Sequence, residues 1–330
     1  MTSNTSSDSN ALALQQLRSV QTQLQQTLVG HEALIERLLI ALLTGGHILI
    51  EGAPGLAKTR TINQFSQLIH ARFARIQATP DLLPADLTGT DMYHQQSGEF
   101  RFIEGPLFNN IVLMDEINRA PPKVQSALLE AMGEQQITSS GKTRRLASPF
   151  LVAATQNPIE HEGTYPLPEA QLDRFMFFVN VEMPDATAEL KILDQVLKER
   201  NSAVEKTVQQ PISNTHTINQ AYQCVSAVHV SDAIKDYIVR LVTATRGLGP
   251  AGNVAEHIAH PASPRGSIFL SVAAQAKAWL DGRDYISPDD IKQLAPDILS
   301  GRIVLHYQAK AKGMTQRDLI HRILDSTPAL

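Results

Sequence analysis

Lys58 and Thr59 close a glycine-rich turn, Gly52-Ala53-Pro54-Gly55-Leu56-Ala57, and Asp115-Glu116 close an apolar run, Ile111-Val112-Leu113-Met114. Ahead of the turn, His47-Ile48-Leu49-Ile50 reads as a short strand; behind it, Ile62, Phe65, Leu68 and Ile69 have helical spacing. A glycine-rich turn entering a helix aims backbone N–H groups and the positive end of the helix dipole at one point, which suits phosphate oxygens. In such a site Lys58 reaches the β- and γ-phosphates and the Thr59 hydroxyl ligates Mg2+. At the end of the second run, Asp115 can orient the magnesium shell and Glu116 can polarise water. The chemistry implied is hydrolysis of ATP. A ligand-free turn or a solvated strand end would explain either segment alone; the pair argues for the nucleotide. Ala57 stands where the pattern G-x-x-x-x-G-K-[ST] has its last glycine, and a negative φ at the first helical turn would accommodate its methyl group.

Elements of matching type surround these residues. Leucines at 12, 14, 17, 24 and 28 suggest an amphipathic helix over 11–28, and a second helix is expected over 31–44. Further strands are expected at 73–76, 150–154 and 175–179, and a helix at 123–132, an alternation that argues for an α/β parallel sheet covered by helices. Two segments read as hairpins turning at Ser-Gly, Met92 to Phe102 and Gln136 to Leu146. After Pro184 the pattern is helical, with helices expected at 186–200, 218–228, 231–246, 264–280 and 287–299, and Ser231 and Ser287-Pro288 as starts. The expected organisation is a disordered tail over 1–10, a nucleotide-binding domain over 11–184 with insertions at about 91–105 and 135–147, and a helical domain over 185–330.

The run Asp115-Glu116-Ile117-Asn118-Arg119-Ala120-Pro121-Pro122-Lys123-Val124-Gln125 resembles MoxR-type AAA+ ATPases. So do Ala154-Thr155-Gln156-Asn157-Pro158, Glu162-Gly163-Thr164-Tyr165-Pro166-Leu167-Pro168-Glu169-Ala170-Gln171-Leu172-Asp173-Arg174-Phe175 and Ala262-Ser263-Pro264-Arg265, in the same order. The likeness runs from about Val29 to Ser300. It implies an AAA+ core with strand order 5-1-4-3-2 followed by an all-α lid domain. It also implies that Asn157 is the first sensor of the γ-phosphate and that Arg174 is an arginine finger lent to a neighbour's nucleotide. Arg265 matches the second sensor, and Val29-Gly30 match the adenine-contacting segment, with His31 in place of the expected glutamine. Each arginine also has a plainer explanation as a surface or cap ion pair, and Arg119 fits either a trans-acting or a capping role. The resemblance further implies a homo-hexameric ring with the hairpins facing its channel, acting on client proteins together with partners bearing a von Willebrand factor type A domain.

Composition limits the alternatives. The chain has 330 residues, 43% hydrophobic, with a net charge of -4, enough for two domains and without general attraction to nucleic acid or anionic membrane. One cysteine, Cys224, excludes an intramolecular disulfide, and its apolar helical context suggests a buried, inert thiol. The sequence has no run long enough to span a membrane and no signal-type N-terminus, so a cytoplasmic protein is expected. His229, His257 and His260 lack the companions of a zinc site. Two other functions fit the motifs less well. One is a nucleic-acid motor related to minichromosome-maintenance helicases, for which Lys142, Arg144 and Arg145 are the compact basic cluster. The other is a nucleotide-dependent scaffold that scarcely turns ATP over.

Overall fold

The computed structural model describes residues 3–96, 98–139, 141–157, 163–201 and 210–329. In chain order the elements begin with α1 (Ser3–Thr27), α2 (Glu32–Thr44), β1 (Ile48–Glu51), α3 (Lys58–Leu68), β2 (Phe73–Gln77), α4 (Pro84–Thr88), β3 (Gly89–His94) and β4 (Glu99–Glu104). There follow β5 (Ile111–Asp115), α5 (Pro122–Glu134), β6 (Gln136–Ser139), β7 (Lys142–Arg145), β8 (Leu151–Gln156), α6 (Glu169–Leu172), β9 (Phe177–Asn180), α7 (Ala186–Asn201) and α8 (Thr215–Ser226). The last are α9 (Asp232–Ala244), β10 (Ile258–His260), α10 (Pro264–Leu280), α11 (Pro288–Leu299), β11 (Val304–Leu305), α12 (Tyr307–Ala311) and α13 (Gln316–Ser326). They form two compact units, Met1–Leu167 with Val179–Asn219, and Pro168–Phe178 with Gln220–Leu330.

The first unit is built on a five-stranded sheet in the order β2-β5-β8-β1-β9, with β2, β5, β8 and β1 parallel along the row. Counting core strands alone, this is the order 5-1-4-3-2 read from the other edge. Every residue of β5 is buried, as are Ile48, Leu49 and Ile50 of β1 and Leu151 to Thr155 of β8, because helices cover both faces of a parallel sheet. On α1, Ala13, Leu17, Val20 and Leu24 make one buried stripe at helical spacing, continued by the buried Leu28 just past the helix end, while Leu12 faces solvent. Each fully buried leucine contributes about 2 kcal/mol of apolar transfer. His47 ties three elements together: its Nδ1 accepts from the Val152 N–H at the start of β8, and its Nε2 donates to the Met132 carbonyl of α5, both at 3.1 Å. Complete burial pushes its pKa down to about 4, so the ring is neutral.

The insertions are β3-β4 and β6-β7, each an antiparallel pair. Their expected turn residues Ser97 and Ser140 lie outside the described residues, as do Pro158 and Glu162 of the quoted motifs and 202–209 of the connection after α7. Tyr93 and Phe100 pair across the first hairpin with ring centroids 5.3 Å apart. Arg144 of the second hairpin places its guanidinium 3.6 Å from the centroid of the Phe102 ring in the first, and lies 3.9 Å from Asp91.

In the second unit, α9, α10, α11 and α13 carry the buried side chains. Ser231 caps α9 by accepting the Ile234 N–H, and Ser287 with Asp290 forms a capping box on α11.

Several expectations are corrected. Helix α1 runs from Ser3, so it takes in residues 3–10 of the Ser/Asn-rich segment expected as a tail. The segment after Pro184 is not wholly helical: Ile258–His260 and Val304–Leu305 pair as β10-β11. A boundary at 184/185 also differs from the compact units, because α7 belongs to the first and Pro168–Phe178 to the second. Arg302 supplies a physical reason. Its buried guanidinium donates to the carbonyls of Phe175, Met176 and Ile298, fastening the 173–178 segment within the second unit. Gly301 is required beside it, since a Cβ there would come within 2.1 Å of the Phe178 ring.

Candidate functional site

The carboxyl ends of β1, β5 and β8 lie side by side, and each is followed directly by one of the motifs read from sequence. Glu51 ends β1 before the glycine-rich turn, Asp115 ends β5, and Gln156 ends β8 before Asn157. That edge is where open α/β sheets bind ligands. A cleft of about 350 Å³ opens there, lined by Gly52, Pro54 to Thr59, Arg75, Gln77, Asp115, Glu116 and Thr155 to Asn157. Gly52 meets a steric need, because a Cβ there would lie 2.6 Å from the Val181 carbonyl.

Ala57 overturns the expectation of negative φ. It is the N-cap of α3 in the left-handed region, at φ 50°. The turn has to reverse its hand before α3 can start, and here a methyl-bearing residue carries that conformation. Lys58 donates from Nζ to the Gly52 carbonyl at 2.6 Å. Burial pulls its ammonium below its ordinary pKa, and Asp115 and Glu116 oppose the shift.

The two acids are held differently. Asp115 is buried; its Oδ2 accepts from Arg75 Nε at 2.6 Å and its Oδ1 from the Thr155 hydroxyl at 3.3 Å. Glu116 sits at φ 57°, and its backbone N–H donates to Thr155 Oγ1 at 2.9 Å. One carboxylate oxygen of Glu116, Oε2, accepts both Gln77 Nε2 and Arg119 Nη1, each at 3.0 Å. Thr155 therefore sets the spacing of both acids. The hydroxyl of Thr59 and the carboxylate of Asp115 share this cleft. Two hard oxygen donors, with room for water and phosphate oxygens, fit Mg2+.

Other expected residues lie elsewhere. Val29, Gly30 and Ala53 do not line the cleft. Gly30 is left-handed at φ 81°, and His31 follows as the N-cap of α2, buried, with a pKa lowered by burial against the opposing charge of Glu32. Arg174 and Arg265 belong to the second unit. Arg174 follows α6, and Arg265 is the second residue of α10, half-exposed and 3.6 Å from Asp173. Asp173 also accepts the Ser263 hydroxyl at 2.9 Å and lies 3.3 Å from Arg302 Nε. Burial and the nearby Arg265 push Arg302 down to about 10, against the pull of Asp173.

Sequence reasoning missed Arg75, Gln77 and Thr155 as site residues. Strand register reveals the first two: Gln77 pairs with Asp115 across β2 and β5, and Arg75 with Leu113. For Gln77 and Thr155 the available signal was a polar residue at or next to the end of a strand; Arg75, in mid-strand, had none.

Comparisons with known proteins agree on the family. Residues 47–177 match the ATPase family associated with various cellular activities, and 251–323 match the AAA lid domain. The chain is 43% identical to Chaperone MoxR1 of Mycobacterium tuberculosis, over 92% of this chain and 80% of that one. It is 30% identical to Protein MoxR of Methylorubrum extorquens, over 93% of each. A solved structure from Cytophaga hutchinsonii, described as a candidate ATPase, superposes with a TM-score of 0.89 at 42% identity, covering 98% of both chains. With the strand order, the phosphate-type turn and the paired acids at one sheet edge, these likenesses place the chain in the MoxR family of AAA+ ATPases.

Proposed function

We propose that this protein binds ATP with Mg2+ in the β1-β5-β8 cleft, hydrolyses it, and uses the cycle to remodel client proteins. The observation that carries the reading is the position of Glu116, which shares one cleft with Lys58, Thr59, Asp115 and Asn157. The turn from Gly52 to Ala57 and the Lys58 ammonium bind the phosphates. Thr59 and Asp115 would hold Mg2+, which when bound neutralises phosphate charge. Glu116 takes the proton of the attacking water, and Asn157 orients that water. Arg174 completes the site of an adjoining protomer, which makes a ring, a hexamer in this reading, the working form. Arg265 reports the state of the phosphates, and Val29 and Gly30 meet the adenine.

The client role is supported by the name of the Mycobacterium tuberculosis relative, a chaperone, and by the exposed Met92, Tyr93, Phe100 and Ile103 of the first hairpin. Partners with a von Willebrand factor type A domain, in the cytoplasm, belong to the same reading. Among the described residues no helix is long and apolar enough to cross a membrane.

The test is Glu116→Gln. Turnover is expected to fall by about 100-fold or more while ATP affinity changes by less than about threefold. Unchanged turnover would leave a nucleotide-binding protein without this catalytic base.

A further inference from the structure

Arg75 has no part in the hydrolysis scheme above, yet its Nε lies 2.6 Å from Asp115 Oδ2, nearer than the Thr155 hydroxyl at 3.3 Å. The two side chains differ in surroundings: that of Arg75 is 53% exposed, that of Asp115 only 9%. Arg75 stands on β2, an edge strand of the sheet, and lines the same cleft as the phosphate turn. Charge explains why a cation belongs there. Asp115 is a buried carboxylate, and a buried carboxylate without a counter-charge or hydrogen bonds is costly. Lys58 does not supply the counter-charge by contact, because its ammonium is turned to the Gly52 carbonyl. Arg119 is on the other acid, Glu116. The Thr155 hydroxyl gives Asp115 one neutral hydrogen bond, and among the described residues Arg75 is its ion-pair partner.

Resting on the reading of the cleft as an Mg2+-nucleotide site, we infer that Arg75 is a resident counter-cation that holds the metal carboxylate while the cleft is empty and moves to phosphate oxygens when Mg2+ and nucleotide enter. A guanidinium and a divalent cation repel each other strongly at such separations in a partly buried site, so Arg75 has to leave Oδ2 for Asp115 to orient the metal. Its half-exposed side chain has room to do so. Its planar donors suit the oxygens of a polyphosphate, which brings more negative charge than the metal offsets. Arg75 and Mg2+ thus compete for Asp115, while Arg75 and nucleotide cooperate.

The two couplings have opposite signs, and calorimetric ADP binding by the full chain separates them. In Arg75→Gln the Mg2+ concentration for half-maximal tightening of ADP is expected to fall about fivefold, since the competitor is gone. In EDTA the same variant is expected to bind ADP about fivefold more weakly, since a cation facing the phosphates is gone. Arg75→Lys keeps the charge and is expected to hold metal-free ADP affinity within about twofold of wild type. A role limited to supporting β2 predicts weaker binding under both conditions. An unchanged or increased Mg2+ requirement in Arg75→Gln overturns the inference, with the nucleotide reading intact if wild type binds ADP. A folded wild-type protein that does not bind ADP overturns both. Circular dichroism melting checks the fold of each variant, and Arg75→Met supplies the same test should the glutamine variant not fold.

Discussion

Ala57 and Glu116 share an uncommon backbone, both carrying a side chain at positive φ, 50° and 57°. Each sits where a strand-derived turn must change hand before the next element starts, and each stores about 1 kcal/mol or more of steric cost. For Ala57 the cost is removable. Ala57→Gly is expected to raise unfolding stability by about 0.5–1 kcal/mol, the strain relieved exceeding the added freedom of the unfolded chain. Urea unfolding measures it, and a loss of stability would show that the alanine is unstrained. The identity of these residues was legible in sequence because each motif is continuous along the chain, but the handedness at Ala57 was not. Alanine itself favours negative φ, and the geometry of the surrounding turn decides the conformation. Arg75 and Gln77 were illegible for another reason: they reach Asp115 and Glu116 from about 40 residues away, through strand register alone.

Elements were legible in proportion to their periodicity. The expected range of α10, 264–280, agrees with the helix, because Ser263 caps it and Pro264 opens it. The β10-β11 pair escaped notice because two- and three-residue strands have no period to read. His47 acts at this scale, joining the start of β1 to α5 and β8. Its pKa is near 6.5 in the unfolded chain and about 4 in the folded one. Above pH 6.5 both states are neutral and the group leaves stability unchanged. Below it the unfolded chain takes up a proton that the folded chain refuses, so stability falls, by about 3 kcal/mol once the pH reaches the folded value. His47→Gln lacks this linkage. The variant is expected to be the less stable protein at about pH 7.5, with the gap narrowing by about 2 kcal/mol or more toward pH 4.5 in denaturant melts. A gap independent of pH would mean that the imidazole is not held neutral.

At the scale of the molecule, the proposed trans action of Arg174 makes an assembly prediction. Chains carrying Glu116→Gln and chains carrying Arg174→Ala should each be nearly inactive alone. Mixed in equal amounts and reassembled, about a quarter of interfaces would pair an intact base with an intact arginine, giving about a quarter of wild-type turnover. No recovery on mixing, with rings confirmed by light scattering, would place the arginine's action within its own chain. The family was legible along most of the chain, but the course of the 168–178 segment was not. Its membership of the second unit depends on Arg302, more than 100 residues downstream, finding carbonyls at Phe175 and Met176.

The Arg144 side chain, laid on the Phe102 ring and beside Asp91, has a mechanical outcome. A guanidinium pressed to an aromatic face is held by about 1 kcal/mol, enough to bias small displacements but easily broken by a larger pull. The two hairpins are accordingly expected to shift together under a small push and to slip apart, like a clutch, under a larger one.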